Sequence, residues 1–153
     1  MNTEQILSNL VARLGQSDLF LNATATSDRI ECQAAGCVGE AQYRAEWDGS
    51  QWWVSLVTAD RWLSESIEAD LMHTGDAIEE LLEDELVDLG LSGRPAVEHY
   101  RSDDLLYTFR SRVGGADETP DAAETADRVF TWLSAYEACF RELGDVAQSD
   151  AAD

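Results

Sequence analysis

Cys32-Gln33-Ala34-Ala35-Gly36-Cys37 is the segment of this sequence whose residue types most directly suggest chemistry. Two thiols so close together invite a metal reading. Tetrahedral zinc, however, takes four ligands, normally as two closely spaced pairs. The second pair would have to come from His73, His99 and Cys139, none of which lies within four residues of another. Two small apolar thiols at the end of a strand account for the segment better, and no bound transition metal is expected. A redox disulfide would need geometric evidence that the sequence does not supply.

The other chemical residue types are scattered. His73 and His99 are isolated, and neither has a serine or cysteine nucleophile motif beside it. Asp/Glu pairs are too plentiful for any one pair to carry meaning, and there is no Gly-rich phosphate loop. Asn22-Ala23-Thr24 matches a glycosylation acceptor, but it falls on an expected strand of a chain read as cytoplasmic. These residues predict no catalytic site and no cofactor, so a non-enzymatic protein is expected.

Two residue groups suit binding better than catalysis. The acids Asp76, Glu79, Glu80, Glu83, Asp84, Glu85 and Asp88 form a run. A calcium loop needs ligands at alternating positions around a glycine turn, whereas this run has helical spacing and reads as a solvated helix face. It is also the best electrostatic patch for a basic partner. The second group is the five tryptophans, Trp47, Trp52, Trp53, Trp62 and Trp132. Trp52 and Trp53 are adjacent on an expected strand, so they point to opposite faces. Only one of them can face a core on one side of the sheet. Aromatic residues left outside such a core are good interface anchors.

Charge narrows the partner class. Thirty-one acids face ten bases, giving a net charge of −21, and every base is arginine. Such a field repels nucleic-acid phosphates and anionic membranes, so neither is an expected partner. The acids are spread along the chain, which favours a general surface adaptation in an arginine-rich, lysine-poor proteome. The specific alternative is a basic protein partner. No apolar run approaches the ~18 residues of a membrane span, Met1-Asn2-Thr3-Glu4 lacks a basic leader, and three cysteines make no disulfide framework. A cytoplasmic protein with reduced thiols is expected.

The elements that must position these residues follow from periodicity. Ile6, Leu7, Leu10, Val11 and Leu14 predict a first helix closed at Gly15. Leu19–Thr26 and Ile30–Ala34 read as two strands. Ala41, Tyr43, Ala45 and Trp47 alternate with Gln42, Arg44 and Glu46, a strand with one dry and one wet face. Asp48-Gly49 predicts a two-residue type I′ turn into Gln51–Val57. Trp62, Leu63, Ile67 and Leu71 predict helix, restarting near Thr74-Gly75-Asp76 into Ile78–Leu89. A second hairpin pairs Val97–Arg101 with Leu105–Val113. Thr119 and Pro120 are expected to cap a last helix. Its residues Ala126, Val129, Leu133, Tyr136, Phe140 and Leu143 follow a 3–4 spacing, with Glu124/Arg128 and Glu137/Arg141 pairs off that seam. The prediction is a single α+β domain over residues 1–144, with a disordered acidic tail at 145–153. Its order is α-β-β-β(-β)-α-β-β-α, with helices on one sheet face.

That element order, the acidic character and the terminal helix Val129–Phe140 together resemble the type III secretion chaperone-like fold, shared by class I secretion chaperones and YbjN-like bacterial proteins. The resemblance covers about Thr3 to Leu143. It implies a chaperone- or adaptor-like homodimer that binds an extended segment of another protein. The candidate partner or dimer surface comprises Trp52, Trp53, Trp62, Ile78, Leu82, Glu79 and Glu83. An acidic inhibitor or immunity-type protein, acting on a basic enzyme or mimicking nucleic acid, is the alternative.

Overall fold

In a computed structural model, the structure describes residues 3–34, 41–75, 77–91, 95–103, 105–113, 121–141 and 143. Cys37, Asp76, Thr119, Pro120 and the segment 145–153 therefore lie outside the described residues. The element order is α1 (Thr3–Gly15), β1 (Phe20–Ala25), β2 (Arg29–Ala34), β3 (Ala41–Trp47), β4 (Trp52–Thr58), α2 (Arg61–Thr74), α3 (Ile78–Asp88), β5 (Glu98–Arg101), β6 (Tyr107–Arg112) and α4 (Ala122–Arg141). Six antiparallel strands form one sheet in the order β1-β2-β3-β4-β6-β5. The expected α+β class holds, with four strands before the middle helices and two separate helices there.

The long helix α4 organises the packing. All six residues of its 3–4 spacing are buried, joined by Trp132, Ala135 and Cys139. It lies on β3 and β4, with α1 on one flank and α3 on the other. Its start is capped by Asp121, whose Oδ1 accepts the Glu124 N–H at 2.8 Å, which is the bond an N-cap side chain makes. Glu137 pairs with Arg141 as the i,i+4 spacing predicts. Glu137 itself is buried rather than on an outer face. Inside the core the Tyr136 and Ser111 hydroxyls hydrogen-bond to each other at 2.6 Å, so the last helix is tied to β6 by a satisfied polar contact as well as by packing.

The middle helices are attached differently. α2 starts at the Asp60 cap, which accepts N–H groups of Trp62 and Leu63, and ends at Gly75 in the left-handed conformation (φ 77°). Its inward face offers Leu63 and Ile67 to the core. At the sheet edge, His99 stacks on Phe109 with centroids 3.8 Å apart. One ring nitrogen lies 3.0 Å from the Thr108 carbonyl, and the other meets Glu68 of α2. Both nitrogens of this histidine are thus occupied in holding α2 to β5 and β6.

The central hairpin differs from the expected two-residue turn. Trp47 pairs directly with Trp52 and the Asp48 N–H donates to the Gln51 carbonyl at 3.1 Å, so the connection runs from Asp48 to Gln51 with Gly49 and Ser50, not Asp48 and Gly49, at its tip. Gly49 has φ 101°, while Asp48 does not enter the positive-φ region. The Asp48 carboxylate does the closing: its Oδ1 accepts the N–H groups of Ser50 and Gln51, each at 2.8 Å. An Asx-type closure of this kind replaces the second positive-φ residue that a type I′ turn would require. The second hairpin has a longer loop than expected, with β6 starting at Tyr107 and Leu105 held at φ 66°.

A Cβ at Gly49 meets open space, so the cost of substituting it is conformational. Gly49→Val should destabilise the fold by about 1–3 kcal/mol, measured as a lower urea midpoint at unchanged slope.

A candidate binding site on the uncovered face of the sheet

Strand pairing assigns the paired sheet residues to two faces, the β1 bulge at Asn22 and Ala23 aside. The inner face carries Ile30, Tyr43, Val54, Leu56 and Phe109, all in one core with the helices. The outer face is covered by no helix among the described residues, and three cross-strand rows can be read along it. One row is Arg29, Glu46, Trp53 and Arg112. The next is Thr24, Glu31, Arg44, Ser55, Arg110 and Glu98, spanning all six strands. A third is Gln42, Val57, Thr108 and Tyr100. Four of the ten arginines in the chain therefore share this face.

The middle of the face is a trough. Ser55, Val57 and Thr108 are buried although no helix lies over them, because longer side chains rise around them. A hollow of about 200 Å³ is walled by Arg44, Trp53, Tyr100 and Arg110. A second hollow of about 280 Å³ extends towards Gln33, Gln42 and Ala59. Val57 and Leu106 line both, so the two hollows adjoin.

Its walls are fixed by specific contacts. The Arg110 guanidinium lies 3.9 Å from the Trp53 ring centroid and 5.3 Å from that of Tyr100. Such contacts are worth about 0.5–1 kcal/mol each at an exposed site. Arg110 also pairs with Glu98 at 2.8 Å. The Trp53 indole N–H donates to Asp48 Oδ2 at 2.8 Å, so the loop carboxylate that closes the hairpin also orients the tryptophan wall. That indole bond, followed by the backbone N–H groups of Ser50 and Gln51, holds the Asp48 carboxyl well below the usual carboxylate range. Arg29 and Arg44 meet the same oxygen of Glu31, at 2.9 and 3.6 Å.

The residues expected to form one surface divide among three places. Trp53 is on the uncovered face. Trp52 and Leu82 are corrected to core positions: each is 1% exposed, Trp52 because its neighbour takes the outer face and Leu82 because it points inward from α3, the helix beside α4. Trp62 stands 78% exposed on α2, in the helical layer and on the opposite side from Trp53. Ile78, Glu79 and Glu83 are half-buried on α3. Arg29, Arg44, Ser55, Tyr100 and Arg110 were not picked out from sequence. Their signal is the wet-face alternation in each strand, but only the register joins those strands into one site.

The cysteines are chemically quiet. Burial pushes the Cys32 and Cys139 thiols up to about 12, which keeps them protonated and poorly nucleophilic. Among the described residues, no group of three or more His, Cys, Asp or Glu could hold a metal ion. No helix among them is long and apolar enough to cross a membrane. No family model, curated protein or solved structure matches this chain.

Asp48 has a depressed folded-state pKa, so its contribution to stability is complete above about pH 4, the ordinary aspartate value. It is lost as pH falls through the lower folded value. The Trp53 indole N–H resonance, assigned with Trp53→Phe, should hold its position through pH 4 and shift only in stronger acid. Asp48→Asn should remove that step.

Proposed function

We propose that this protein is a non-catalytic, chaperone- or adaptor-like binding protein of the cytoplasm that receives a segment of another protein on the uncovered face of its sheet. The observation that carries the reading is the hollow on that face, floored by Ser55, Val57 and Thr108 and walled by Trp53, Tyr100 and Arg110, with a second hollow adjoining it. Aromatic and arginine side chains around a desolvated floor are what anchor protein interfaces. The two adjoining hollows suit an extended chain. A non-catalytic role is supported by how the reactive side chains are used: His99 binds α2 to the sheet, and both described thiols are buried.

Self-association belongs to the same reading. Trp62 and Met72 on α2 are 78% and 84% exposed, on the side away from the trough. A contact through α2 would leave the sheet face free in each copy.

A photo-crosslinking residue at Tyr100 should capture a partner protein in the native cell, and the same residue at Glu80 on α3 should not. Equal capture at both positions, or capture at Glu80 alone, would place binding elsewhere.

The net charge of −21 opposes association of two copies, so added salt should strengthen it. Light scattering at micromolar concentration should show a higher mass at moderate than at low ionic strength. Trp62→Ala should abolish the increase. A monomer under both conditions would remove the α2 dimer.

A further inference from the structure

We infer that the trough selects a segment bearing a single aspartate or glutamate, whose carboxylate sits over Ser55 between Arg44 and Arg110. The inference rests on the reading of this face as a segment-binding surface and adds the chemistry of what binds.

The central row of the face reads Glu31, Arg44, Ser55, Arg110, Glu98 from β2 to β5. It is symmetric about a short residue. Each arginine is held on its outer flank by a carboxylate: Arg44 by Glu31 at 3.6 Å and Arg110 by Glu98 at 2.8 Å. On the inner flank Ser55 is the cross-strand neighbour of both, while the Arg110 guanidinium also lies against Trp53 and Tyr100 and Arg44 also donates to Gln42. Neighbouring strands are about 4.8 Å apart, which sets the two arginine backbones about 10 Å from each other. A carboxylate over Ser55 fits that gap and can accept from both guanidinium groups, the strong, charge-assisted kind of hydrogen bond.

The arginines also keep unfilled donors, although a terminal nitrogen of Arg44 donates to Gln42 Oε1 at 3.3 Å. Arg29 and Arg44 share one oxygen of Glu31. The Nε atoms of both are buried with no hydrogen-bond partner, a costly arrangement for a charged donor. The trough wall contains two further carboxylates, and neither relieves this. Asp48 is committed to its own loop and to Trp53. Glu46 stands opposite Arg29 in the register and forms no ion pair with it among the described residues. Glu46 lies on the Trp53 side of Ser55, where it would repel a second acid. The overall charge of the chain likewise disfavours a polyanion. Towards the other end, Val57, Ala59 and Leu106 offer apolar surface. The ligand that matches all of these is one acidic residue followed by small uncharged ones.

Selection of a displayed random-peptide library on the immobilised full chain tests this. Enriched peptides should share one Asp or Glu beside uncharged residues. Changing that acid to its amide should weaken the synthetic peptide about tenfold or more, as loss of charge-assisted bonds requires. Arg44→Gln and Arg110→Gln should each weaken it similarly, and Val87→Ala on the exposed side of α3 should not. Basic peptides, or amide forms that bind as well, would overturn the acid preference. Segment binding would still stand if the amide resonances that move belong to β3, β4 and β6. No enrichment, or shifts confined to α2 and α3, would overturn both readings. Free glutarate binding as tightly as the peptide would overturn a peptide as occupant.

A second arm needs no ligand. Ser55→Glu places the missing carboxylate within the chain, and Ser55→Gln is its uncharged isostere. The Glu variant should melt at the higher temperature at neutral pH and should no longer bind the peptide. Equal melting temperatures would overturn the inference.

Discussion

The burial of one stripe of α4 against β3 and β4 is the constraint on which the rest of the structure depends. The stripe sets Val129, Leu133, Tyr136 and Phe140 against the sheet's inner face, where Tyr43, Val54, Leu56 and Phe109 meet them. Each such side chain is worth about 1.5–3 kcal/mol when fully buried. Because the strand period is two, this contact also settles which residues cannot be in the core. Once Trp52 and Val54 face α4, Trp53 and Ser55 must face the other way. A slip of one residue would put Arg44 and Glu46 under the helix, at a cost that the fold could not absorb.

The outer face is therefore a product of the inner one, and its character comes from what is left over. The helices are all used on one side: α1 and α3 flank α4, and α2 contacts β4 and reaches the β5 edge through Glu68 and His99. The sheet has no second layer of helix among the described residues to cover its reverse. Instead of an apolar face that would demand cover, the reverse carries arginines, carboxylates and two aromatic rings around a small polar floor. It is self-supporting through Arg110 between Trp53 and Tyr100 and through Asp48 under Trp53, and it is wet enough to remain open.

Charge is distributed along the same division. The exposed acids of α3, Glu80, Asp84 and Asp88, belong to the helical layer. On the sheet face Arg29, Arg44, Arg110 and Arg112 offset Glu31, Glu46, Asp48 and Glu98. A chain with a large net negative charge thus presents one face on which a partner meets no net repulsion at close range. At distances beyond the Debye length, about 8 Å at physiological salt, the rest of the surface matters little.

The sequence by itself determined the elements and their inner faces. The 3–4 spacing in α4 and the alternation in β3 are local signals, since each follows from the geometry of one element. Every position of the α4 seam and Ala41, Tyr43 and Ala45 of β3 are buried accordingly. Trp52 and Trp53 could be assigned to opposite faces, but not one to the core and the other to the site, because adjacency is symmetric until something covers one side. Only the tertiary structure decided that, and it placed Trp53 on the uncovered sheet face and Trp62 on α2. The Asp48 loop departs from the type I′ expectation for a related reason: a side chain closing its own turn leaves the same Asp-Gly signature as a type I′ pair. Arg29, Arg44, Ser55, Arg110 and Tyr100 come from five strands, with the last two 81 and 71 residues from the first. Their meeting depends on register between strands, which hydrogen bonding and core burial fix together and which no single strand encodes.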